Sequence, residues 1–192
     1  MHAKSMLAGL GLGLAVAVFV GATPSQEPPE MDPAEMQKMM ELMQEMGSPG
    51  EPHEFLQYFV GDWEGEMGMT GMPPSKVSQT ITSEFDGRFI KVAFGGSFMG
   101  QPMKGGGYTG FDNYKKKYRS VWIDSMSTAM HVSEGMLDQT KKTMTLWGTM
   151  DEYMTGEHDK PVSYVYRIVS EDTYEFEIHD LAIVPGETKV IS

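Results

Sequence analysis

From residue 62 onward apolar and polar positions alternate with a period of two, the pattern of strands that bury one face. The alternation predicts ten strands, near residues 62–69, 76–85, 88–95, 105–111, 118–124, 128–136, 143–151, 161–169, 173–182 and 187–191. Their connections are hairpin-sized. Asp86-Gly87 carries the type I′ turn signal, and residues 138–142, 170–172 and 185–186 are polar or Pro/Gly turns. No run after residue 60 sustains a helical period. Short strands joined this way predict an all-β chain, an antiparallel barrel of about 8–10 strands whose closure removes exposed edges. Alternation also assigns faces. Tyr174, Phe176 and Ile178 oppose Glu175, Glu177 and His179, while Val162, Tyr164, Tyr166 and Ile168 oppose Ser163, Val165 and Arg167. The aromatic sets should point inward.

Before the strands the period changes. Residues 31–47 form a Met-rich amphipathic segment: Asp32 is a good N-cap, Pro33 fits the first helical position, and Glu35 completes a capping-box variant. The helix should run from Pro33 to about Met46, where Gly47 and Pro49 stop it. Met36, Met39, Met40, Met43 and Met46 recur at spacings of three and four, which places their thioethers on one face. Residues 53–60, with Phe55, Leu56, Phe59 and Val60 apolar, predict a second, two-turn helix ended by Gly61, short enough to serve as a plug. The barrel domain is expected over residues 53–192.

The start of the chain reads as an address. Lys4 lies in a short basic stretch, residues 7–20 are uncharged and apolar apart from glycines, and Val20-Gly21-Ala22 supplies small residues for cleavage. Residues 1–22 are therefore expected to be a signal peptide, cut before Thr23. An apolar run of about 14 residues is short for a bilayer, so no stable membrane insertion is expected after cleavage. Residues 23–30 have the Pro- and Glu-rich composition of a flexible linker. The product is expected to be exported, periplasmic or secreted, in a bacterium.

Charge narrows the partners. The 192 residues carry 15 Lys+Arg against 27 Asp+Glu, a formal charge of −12 that argues against nucleic acid. The absence of cysteine excludes disulfides, thiolate zinc sites, thiol nucleophiles and a lipoprotein anchor.

A family resemblance rests on several segments. Gly61-Asp62-Trp63 resembles the Gly-x-Trp opening of lipocalin-like (calycin) barrels. With His53 and Leu56 before it, then Gly107-Tyr108-x-Gly110-Phe111-Asp112, Trp122-Ile123-Asp124-Ser125-Met126-Ser127-Thr128, Glu134-Gly135-x-Leu137-Asp138 and Leu146-x-Gly148, the chain resembles the bacterial domain of unknown function 1579 over roughly residues 50–191. The resemblance implies a lipocalin-like barrel, with Gly61 and Trp63 in structural roles, and carries no catalytic residues. The family pattern ends on a longer final strand than Lys189-Val190-Ile191-Ser192 supplies.

Motifs that suggest chemistry have plainer readings. Gly105-x-Gly107-x-x-Gly110 matches a dinucleotide fingerprint, but no helix follows to receive a pyrophosphate, so the glycines read as strand curvature. His53-Glu54-x-x-Gln57 lacks the second histidine of a zinc protease. Glu175, Glu177 and His179 could hold a metal from one strand face, though a solvated polar face is the simpler reading. The methionine stripe offers soft ligands for copper. Eleven of the 19 methionines lie after residue 60, however, and flexible packing or contact with a protein partner through residues 36–46 accounts for the helix more simply. No metal site and no cofactor are nominated, and no histidine is placed to ligate haem. Asp124, Ser125, Ser127, Thr128 and His131 cluster around one hairpin, where Asp and Ser side chains favour turn-forming bonds. An enzyme reading would need Asp124 and His131 to converge.

The leading expectation is a non-enzymatic barrel that binds a small apolar or amphipathic molecule. Tyr108, Trp122, Tyr164, Tyr166 and Phe176 would line the cavity, with Asp124 near its mouth. A structural or interaction module that docks through its Met-rich helix is the other alternative.

Overall fold

The computed structural model describes residues 7–10, 15–18, 32–68, 73–181 and 188–191. The chain divides into two compact units, Met1–Met40 and Glu41–Ser192, the division falling inside a helix. In the first unit β1 (Leu7–Leu10) pairs antiparallel with β2 (Ala15–Val18). The basic stretch, the cleavage position at Ala22 and the linker over 23–30 all lie outside the described residues.

The Met-rich helix, α1, spans Pro33–Gly47. Its start follows the expected chemistry: Asp32 Oδ1 accepts from the Ala34 amide at 2.9 Å. Its end is finished by side chains. Asn113 Nδ2 donates to the carbonyls of Met46 (3.0 Å) and Ser48 (2.8 Å), and Arg88 Nε donates to Gly47 O at 2.7 Å. These cover carbonyls that a helix terminus leaves without intrahelical donors. No residue of α1 is buried. Met36, Met39, Met40 and Met43 are exposed, Met40 and Met43 at 63% and 62%, while Met46 at the end of the stripe is half-buried.

The second helix, α2 (Glu51–Gln57), begins where the Gly50 amide donates to His53 Nδ1 at 3.0 Å. Ten strands follow: β3 (Gly61–Met67), β4 (Ser75–Glu84), β5 (Phe89–Phe98), β6 (Gln101–Asp112), β7 (Lys117–Asp124), β8 (His131–Leu137), β9 (Thr143–Glu152), β10 (Glu157–Ile168), β11 (Tyr174–Leu181) and β12 (Thr188–Ile191). Each pairs antiparallel with its sequence neighbours in one meander. The β4–β5 connection is the expected type I′ turn, with Asp86 and Gly87 at φ 55° and 85° and the Arg88 amide bonded to Phe85 O.

The sheet curls into a half-barrel whose core gathers at one end. There α2 and the residues just after it insert Leu56 and Phe59 among Ile81, Ile90, Tyr118, Met144 and Leu146, all nearly inaccessible to solvent. The Tyr118 hydroxyl donates to Pro52 O at 2.8 Å, tying the helix to the wall. The plug expected for this segment is therefore present.

Closure differs from the expectation of a continuous ladder. Among the described residues β3 and β12 are the two ends of the strand order, with no backbone pairing between them. Side chains bridge the gap instead: Trp63 of β3 stacks edge-on against Tyr174 of β11, with centroids 4.8 Å apart, and the Tyr174 hydroxyl donates to Gln79 Oε1 of β4 at 2.9 Å. β12 pairs only with residues 178–181 of β11, which leaves the first half of β11 free to meet Trp63. Trp63 is half-buried at this seam, and its indole N–H donates to Phe59 O at 2.8 Å. Gly61 precedes it at φ 144°, a conformation that side chains disfavour, where the chain turns from plug to wall.

Candidate functional site: the concave face

Register determines which side chains share the concave face, because directly paired residues project to the same side. One row crosses the sheet from Thr109 through Ser120, Ser133, Gly148 and Val162 to Asp180. Thr109 Oγ1 donates to Ser120 Oγ at 2.9 Å, so the start of this row is a belt of hydroxyls. Toward the plug lie Tyr118, Leu146 and Tyr166; toward the other end lie Trp122, His131 and Lys160.

Trp122 is held in place from three sides. Its indole N–H donates to Asp124 Oδ2 at 3.0 Å, and Phe94 meets it edge-on at 5.9 Å. Beneath it is Gly105, where an added Cβ would come within 2.3 Å of the Trp122 ring. The dinucleotide-like glycines thus lie within β6, and Gly105 is glycine because the indole rests on the strand.

On the facing wall Tyr164 and Phe176 stack at 6.4 Å with an interplanar angle of 6°, and Tyr166 packs against Phe176 at 4.7 Å. Phe176 is 40% exposed although it belongs to the concave face, so the described residues do not fill the concavity there. Burial pushes the Tyr174 hydroxyl up to about 12 and raises that of Tyr166 further, so both rings stay neutral.

Of the sequence-nominated residues, Trp122, Asp124, Tyr164, Tyr166 and Phe176 share the concave face. Tyr108 does not. It pairs with Lys91 and Val121 and is 41% exposed on the convex side, because Gly107 is the residue opposite Trp122. This corrects the expectation of an inward Tyr108: period-two alternation fixes parity within β6, but only the register relates it to β7.

The hairpin cluster is occupied by turn chemistry. Asp124 Oδ1 accepts from the Met126 amide at 2.8 Å, Ser125 Oγ from Lys104 N at 3.0 Å, and Ser127 Oγ from Ala129 N at 3.2 Å. His131 pairs directly with Trp122, which puts it on the same face as Asp124, yet both Asp124 oxygens already accept bonds. On the convex face Arg167 Nη1 pairs with Glu175 Oε2 at 3.0 Å, and His179 Nε2 hydrogen-bonds Glu177 Oε2 at 2.8 Å. Among the described residues no group of three His, Asp or Glu side chains could hold a metal.

Two polar groups on the concave face escaped sequence reasoning. Asp180, 5% exposed, accepts from Lys160 Nζ at 2.7 Å through Oδ2. That bond, with Glu157 beside it, raises the Lys160 ammonium above its ordinary value. Asp180 Oδ1 and the Tyr164 hydroxyl are buried and have no partner among the described residues. Inward parity with Tyr164 and Ile178 would have pointed to both residues. That the two meet depends on the β10–β11 register, which sets Val162 opposite Asp180.

An antiparallel half-barrel with a helical plug at one end and aromatics on its concave face is consistent with a lipocalin-like barrel. The chain belongs to the DUF1579 family, described as proteins of unknown function, whose match covers residues 48–191. No curated protein matches it.

Proposed function

We propose that the protein is a non-enzymatic binder of a small amphipathic molecule, held on the concave face beside Phe176. The observation that carries this reading is the coexistence of an exposed Phe176 on the inner wall with buried, unpartnered polar atoms on Tyr164 and Asp180. Native interiors rarely leave such atoms unpaired, since each costs about 1–3 kcal/mol. An aromatic wall with a few polar groups is also how small-molecule sites are built. Native mass spectrometry of protein purified from its own host tests the reading. A retained small molecule that is lost from Trp122→Ala is expected; a bare polypeptide mass, with no uptake of any amphiphile, would refute it.

A second reading is favoured by the exposed methionines of α1: a protein partner that covers residues 36–46. The pattern of residues 1–22 further supports export. The intact mass from producing cells should begin at Thr23, and a membrane-retained form keeping Met1 to Ala22 would contradict it.

A further inference from the structure

We propose that Asp180 and Tyr164 form a recognition site for the neutral hydroxyl head of the ligand, whose apolar body then lies along Phe176. This rests on the small-molecule reading above and adds the chemistry of the ligand's polar end. Val162 pairs directly with Asp180, and Tyr164 is two residues further along the same strand and the same face, so the two side chains are diagonal neighbours. Each presents an unpartnered atom: a carboxylate oxygen, which can only accept, and a phenol, which can donate. A single alcohol oxygen satisfies both, donating its proton to Asp180 Oδ1 and accepting from the Tyr164 hydroxyl.

Charged heads fit worse. A carboxylate has no proton for Asp180 and would be repelled by it and by Glu157, which lies 3.5 Å from Lys160. An ammonium could donate to Asp180, but it cannot accept from Tyr164 and would compete with Lys160, whose 2.7 Å pairing already balances the buried carboxylate. On the β6–β8 side the row continues across the sheet as the hydroxyl belt from Thr109 to Ser133.

The test uses the full chain and the neutral fluorophore N-phenylnaphthylamine, displaced by decanol, decanoate or decylammonium below their aggregation limits. Decanol should displace the probe at the lowest concentration. Tyr164→Phe, which deletes a buried hydroxyl and keeps the ring stack, should weaken decanol by about tenfold, the factor one hydrogen bond supplies, relative to its effect on the probe. Asp180→Asn should weaken decanol similarly. Decanoate or decylammonium binding tighter than decanol, or decanol insensitive to Tyr164→Phe, would overturn the hydroxyl site while leaving the cavity reading standing. Failure of the probe and of all three amphiphiles to bind would overturn the cavity reading itself.

Discussion

His53 shows how one residue couples local geometry to solution behaviour. Its ring is 4% exposed, accepts the Gly50 amide through Nδ1 and meets Phe111 edge-on at 5.8 Å. Burial, the largest influence, lowers its pKa below the ordinary 6.5, so the folded state prefers the neutral ring. Between that lowered value and 6.5 the unfolded chain binds more protons than the folded one, and stability must fall as pH drops through this window. Urea midpoints measured from pH 7 downward should show the loss beginning near 6.5, and His53→Gln should flatten it. Gly105 makes a second residue-level case. Gly105→Ala would drive the Trp122 indole off its strand, since the new methyl would lie 2.3 Å from the ring. A shifted tryptophan emission spectrum, together with weaker probe binding, is the expected outcome. The sequence showed glycines at 105 and 107 but not why they are needed, because the ring that requires Gly105 comes from the next strand.

At the scale of elements most of the architecture was legible. All ten strands and both helices lie within a few residues of their expected positions, because each strand carries its own alternation and its own turn residues. Registers between strands were not legible, and Tyr108 is the residue on which that ambiguity told. Nor were long-range ties such as Asn113, which reads in sequence as an ordinary turn residue but finishes the end of α1. Asn113→Ala should speed hydrogen exchange of amides in the last turn of α1, leaving protection in β6 and β7 unchanged; equal exchange in both proteins would show the cap to be dispensable. The plug admits a larger perturbation. Phe59 is 3% exposed and meets Phe55, Tyr58, Tyr166 and Tyr174, so Phe59→Ala should cost about 3–5 kcal/mol in chemical denaturation.

For the molecule as a whole, the family match from residue 48 and a core that begins at His53 mark out what must fold together. A chain starting at Ser48 should unfold in one transition, within about 1 kcal/mol of the full chain, since water can replace the exposed bonds that Asn113 and Arg88 make to α1. A broadened or split transition would mean that α1 belongs to the folding unit. The lining aromatics were partly foreseeable from parity, whereas the meeting of Lys160 with Asp180 depended on the β10–β11 register, which no local pattern encodes.

The seam between β3 and β11 gives the wall a different mechanical character from a welded tube. A backbone ladder resists widening because several hydrogen bonds must break together; here the two margins are held by one indole, one phenol and one amide. Such a fastening works as a clasp. Contacts of this kind are made and broken between side chains without unzipping any strand pair. A cuff of this kind can change its bore at the seam while every ladder stays paired.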